Sequence, residues 1–114
     1  MEEECAAFAN KVYEATKPFP TKEQFGLTSQ IRRSAVSISA NIAEGSSRNS
    51  DKEFSRYVEI AYGSLCETVS HLFIAKSQCF ISAEDYGRLY KESEELGRML
   101  TALTNTLGER KTLP

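Results

Sequence analysis

Apolar side chains recur along this chain in steps of three and four, and no other feature narrows its possible folds so far. Phe54, Val58, Ala61, Leu65, Thr68, Leu72, Ala75 and Cys79 follow steps of 4, 3, 4, 3, 4, 3, 4, with only Thr68 polar. Tyr86, Leu89, Ser93, Leu96, Leu100, Leu103 and Leu107 keep the same alternation. A helix turns through about 100° per residue, so each set forms one stripe, and a stripe held for four turns or more is the seam of helices packed at a shallow angle. A strand needs period two, which nothing here sustains at comparable length. Two shorter stripes precede these: Cys5, Phe8, Val12 and Ala15, then Leu27, Ile31, Ala35, Ile38 and Ile42.

Helix breakers separate the stripes into four segments. Pro18 and Pro20 stop the first, Gly45 to Asn49 ends the second, and Ile81-Ser82 is a softer break. Thr21 with Gln24 and Ser50 with Glu53 have capping-box spacing, and Ser82 with Asp85 is a weaker version. Connections of roughly 4 or 5 residues make successive helices antiparallel neighbours. The expected fold is therefore all-α, an antiparallel up-down-up-down four-helix bundle forming one domain over residues 1–114. At about 1.5 Å per residue the third and fourth helices reach roughly 40 Å, whereas residues 2–16 give only about 22 Å. Part of the seam then lacks cover within one chain, a first indication of self-association.

Composition closes off several other classes. With 114 residues, 40% of them hydrophobic, the chain can build a core without metal or disulfide staples. No apolar run approaches the roughly 20 residues that span a bilayer, and Met1-Glu2-Glu3-Glu4 has the wrong charge for a signal peptide, so a cytoplasmic location with no membrane contact is expected. Cys5, Cys66 and Cys79 are odd in number and widely spaced, which reads as reduced, mostly buried thiols. A di-iron bundle needs two Glu-x-x-His motifs, but His71 is the only histidine and Glu67 lies four residues before it. A Ser-His or Cys-His site would depend on the same His71, and the scattered glycines make no phosphate loop. No catalytic residue, metal ligand or cofactor site is assigned, and an enzyme is not expected.

The second helix is unusual in its outward surface. From Ser34 to Ala43 it reads SAVSISANIA, without a charge and with nothing larger than isoleucine. An exposed helix normally carries a charge every third or fourth position. The residues assigned to a subunit interface are Arg33, Val36, Ser37, Ala40, Asn41, Ala43 and Glu44, where Asn41 and Glu44 are expected to pair with backbone or basic groups and fix register. The plainer reading is the central helix of a small bundle with an ordinary solvated face.

The stretch Gln30 to Gly45, QIRRSAVSISANIAEG, with Ser50 to Phe54 and Ile60 to Glu67, closely resembles the 23S rRNA intervening-sequence proteins. The chain departs from that family's pattern at Ser39, where proline is usual, and in its short first helix without tryptophan. The resemblance implies a homopentameric ring of four-helix bundles with no established catalytic activity. It also implies kinship with accessory proteins of diversity-generating retroelements, hence a possible protein partner such as a reverse transcriptase. The leading expectation is a non-enzymatic scaffold that partners with itself.

The rival, from a different class, is an RNA- or DNA-binding protein using Lys22, Arg32, Arg33, Arg48, Lys52 and Arg56 on the second and third helices and their flanks. Over residues 22–56 these six meet four carboxylates, a local balance of +2 within a chain of net charge -2. Polyanion binding draws on concentrated positive charge, so the balance favours it only where the cations converge.

Overall fold

The structure, a computed structural model, describes residues 1–112, with side chains through Gly108. Four helices follow one another: α1 (Glu2–Thr16), α2 (Leu27–Ser46), α3 (Asp51–Ser77) and α4 (Ala83–Thr112). No strand occurs among the described residues. Helices α1 and α2 pack together, α3 lies against α2, and α4 closes the bundle between α3 and α1, while the backbones of diagonal pairs stay more than 8 Å apart, Cα to Cα. The direction of α2 relative to α3 is visible in two hydroxyl pairs. Ser37 bonds Ser64 at 2.9 Å and Ser34 bonds Thr68 at 2.7 Å, so numbers fall on one helix as they rise on the other. The bundle measures 54 × 24 × 19 Å.

The stripes become the core. Ile31, Ala35, Ile38 and Ile42 of α2 join Val58, Ala61, Leu65, Leu72 and Ala75 of α3 in one buried cluster. Leu89, Leu96, Leu100 and Leu107 of α4 and Cys5, Phe8 and Val12 of α1 complete it. Thr68 and Ser93, the polar interruptions, are also buried, and each bonds a backbone carbonyl on its own helix, of Ser64 and Tyr90 respectively. Phe19 and Phe80, from the α1–α2 and α3–α4 connections, meet at 5.8 Å and plug one end.

Several local expectations need correction. Thr21 and Gln24 do not cap a long helix: Thr21–Glu23 is a single 3-10 turn, and α2 starts at Leu27 without a side-chain cap. The α1–α2 connection is accordingly longer than the 4 or 5 residues expected. Gly45 lies inside α2, where a methyl group would come within 2.6 Å of Tyr57 Cβ, so glycine serves close approach to α3. Helix α3 stops at Ser77, so Cys79 leaves the stripe and adopts φ 64°. Cys66 and Cys79 are exposed, and Cys5 alone is buried. The seam is also closed despite the short α1, since Leu100 and Leu107 are fully enclosed within the chain. Ser50 and Ser82 do accept the backbone amides of Glu53 and Asp85, as their spacing predicts.

Candidate functional site

Apart from Phe25 in the α1–α2 connection, which is 91% exposed, the large apolar side chains that the single chain leaves open lie on outer helix faces. On α2, Val36 is 45% exposed, and Ala40 and Ala43 are exposed one and two turns on. At 100° per residue, core residues Ile31, Ala35, Ile38 and Ile42 point inward and Ala40 points nearly opposite. Arg33 and Glu44 are exposed along the same outer side, while Ser37 and Asn41 are half-buried beside α3. Asn41 donates to the Ser37 carbonyl at 2.8 Å and to its hydroxyl at 3.0 Å. Glu44 accepts from Arg48 at 2.7 Å and from the Tyr57 hydroxyl of α3 at 3.1 Å. This carboxylate holds the Arg48 guanidinium above its ordinary value, and the guanidinium also stacks on the Tyr57 ring.

The six candidate nucleic-acid contacts do not form one surface. Arg32 is half-buried, donates to Thr16 Oγ1 at 2.8 Å and to the Tyr13 carbonyl at 3.4 Å, and lies over the Tyr13 ring. It therefore caps the end of α1, satisfying a carbonyl that helix geometry leaves open. Arg48 is held by Glu44 and Tyr57. Lys22 sits in the α1–α2 connection, at the opposite end of the bundle from Lys52 and Arg56 in the first turns of α3. Arg33 lies on α2 between these ends.

A second surface, which periodicity alone does not show, runs between α3 and α4. A groove of about 680 Å³ is lined by Tyr62, Cys66 and Val69 of α3 and by Tyr90, Glu94, Gly97, Arg98 and Ala102 of α4, among others. Above it Phe73, Tyr86 and Tyr90 form an aromatic row with ring centroids 6.0 Å apart, and Lys76 lies over Phe73 and Tyr86. Burial raises the Tyr86 phenol above its ordinary value. Tyr62 and Phe73 fall about 90–110° off the α3 stripe, which is why the seam pattern passes over them.

Among the described residues, no cluster of His, Cys, Asp and Glu could hold a metal ion, and no helix is long and apolar enough to cross a membrane. His71 points about 140° round α3 from Cys66, so the two cannot share a reacting centre. Its Nδ1 is buried with no hydrogen-bond partner among the described residues, as is Thr28 Oγ1. Burial pushes the Cys5 thiol up to about 11, which keeps it protonated and inert.

The pattern of the 23S rRNA-intervening sequence protein family matches residues 2–102. The chain belongs to that family. A solved structure from Bacteroides thetaiotaomicron, a protein of unknown function from the S23 ribosomal protein family, is 28% identical. It superposes with a TM-score of 0.82, over 90% of this chain and 96% of that one. Comparison with curated proteins finds no match. The Bacteroides structure shares the four-helix fold.

Proposed function

We propose that the chain is a non-enzymatic scaffold or accessory protein that works as a homo-oligomer, most simply a homopentameric ring, assembled through α2. The observation that carries this reading is the outer face of α2. Val36, Ala40 and Ala43 stand open there, and no charge occurs between Ser34 and Ala43 to solvate them. Covering such a face gains about 25 cal/mol for each Å² of apolar surface removed from water, and its small side chains let a neighbouring backbone come close. The separation of His71 from Cys66 supports the non-enzymatic part. Nucleic-acid binding through the central cations is the weaker reading, because Arg32 and Arg48 already serve contacts within the chain.

Sedimentation of Ala40→Glu against the unmodified protein tests the reading. The expected result is a helical monomer for the variant and a larger assembly for the parent. A variant that retains the parent's mass overturns α2 as the interface.

A further inference from the structure

We infer that the α3–α4 groove binds a small zwitterion with an aromatic side chain, an aromatic α-amino acid, held by Glu94 and Arg98. The inference goes beyond the scaffold reading and does not depend on assembly through α2.

The chain places a glutamate four residues before an arginine three times, at Glu44 and Arg48, Glu84 and Arg88, and Glu94 and Arg98. The first two pairs close, at 2.7 and 3.2 Å. The third stays open, and neither Glu94 nor Arg98 has an ion-pair partner among the described residues. This open pair supplies the two charged side chains that line the groove. Residues four apart on a helix have Cβ atoms about 5–6 Å apart, so one charge of each sign is offered to a ligand within a single turn of α4.

An α-amino acid carries both opposite charges on one carbon and suits that spacing. Its carboxylate accepts from the planar fork of the Arg98 guanidinium, and its ammonium donates to the Glu94 carboxylate. An anion alone would be repelled by Glu94 and a cation alone by Arg98, which disfavours ligands of a single sign.

The floor of the groove is apolar. Gly97, buried between Glu94 and Arg98 on α4, has no side chain to cover Tyr62 and Leu65. A methyl group there would stand 3.6 Å from Tyr62 Cε2 and 3.7 Å from Leu65 Cδ2. Tyr62 and Tyr90 are 43% and 45% exposed. An aromatic ring laid on this floor removes apolar area from water and gains stacked or edge contact with tyrosine. The volume of about 680 Å³ falls within the range of about 300–1,000 Å³ usual for small-molecule sites, which are common between the helices of bundles.

The chain contains no tryptophan, so the fluorescence anisotropy of L-tryptophan mixed with the unmodified protein reports binding directly. Anisotropy should rise and saturate. Tryptamine, which lacks the carboxylate, and indole-3-propionate, which lacks the ammonium, should each bind at least about tenfold more weakly, since each leaves a charged hydrogen bond unmade. Arg98→Gln and Glu94→Gln lie at exposed positions, and circular dichroism should show unchanged helix content in both. Each should weaken L-tryptophan to a similar extent. The preference for L-tryptophan over tryptamine should vanish in Arg98→Gln, and the preference over indole-3-propionate in Glu94→Gln. No rise in anisotropy at millimolar protein overturns the proposal. So does binding that tryptamine or indole-3-propionate matches, or that both variants leave unchanged, because the ring alone would then account for it.

Discussion

Replacing glycine by alanine at two positions on these helices has opposite consequences. Inside a helix the change ordinarily stabilises by about 1 kcal/mol, because glycine loses more backbone freedom on folding. Gly63 of α3 has nothing within 4 Å of the place a methyl would occupy, so Gly63→Ala receives that gain. At Gly45 the methyl would stand 2.6 Å from Tyr57 Cβ and 2.9 Å from Phe54 Cδ1. Tyr57 Cβ is fixed to the α3 backbone and cannot rotate away, so α2 and α3 must separate by about 1 Å to reach ordinary carbon contact. Overpacking of this kind costs roughly 1–3 kcal/mol, and a rigid neighbour places it near the upper end. Subtracting the helix gain leaves a net loss of about 2 kcal/mol. For a domain of this size that lowers Tm by roughly 8–10 °C, whereas Gly63→Ala raises it by about 4 °C. Thermal unfolding followed by circular dichroism at one fixed protein concentration reads both, since assembly couples to stability. If Gly45→Ala is stabilised as much as Gly63→Ala, the close approach of α2 to α3 is refuted.

Other consequences follow from single side chains. Arg32→Ala should cost about 1.5–3 kcal/mol in chemical denaturation, because a charged donor to Thr16 and the Tyr13 carbonyl is lost; a change below 0.5 kcal/mol would remove its capping role. Ser50→Ala should cost about 1 kcal/mol through the lost N-cap of α3, measured in the same way, with Ser50→Asp restoring most of it. In the Ala40→Glu variant, a thiol reagent near neutral pH should modify two cysteines quickly, Cys66 and Cys79, and reach Cys5 only on unfolding. The sign follows from burial, which raises the Cys5 thiol to about 11 and leaves almost no thiolate to react; three rapid thiols would contradict it.

What could be read from the residues is what depends on local period. Ile31 to Ile42, Val58 to Ala75 and Leu89 to Leu107 declare the core because burial along a helix repeats with the turn. Ser50 and Ser82 declare helix starts because a cap needs only an amide three residues on. Thr21 and Gln24 show the same spacing and end in a 3-10 turn, since the signal does not tell one turn of helix from six. Arg32 looks like a solvent cation in sequence, yet it serves the end of a different helix, sixteen residues away. The groove was hidden for a related reason: Tyr62, Val69, Tyr90 and Glu94 come from two helices, and its aromatic walls stand outside the seam. Cys66 shares that wall, which is why hydrophobic character alone misplaced it in the core. Gly45 reads as a helix breaker, whereas its lack of a side chain is what lets α2 continue beside Tyr57.

The central claim is that one copy of this bundle is an incomplete object, and the native mass of the unmodified protein tests it most directly. Native mass spectrometry over a range of concentrations should find a multiple of the 12.7 kDa chain, about 64 kDa for five copies. A single 12.7 kDa species at every concentration would contradict the account.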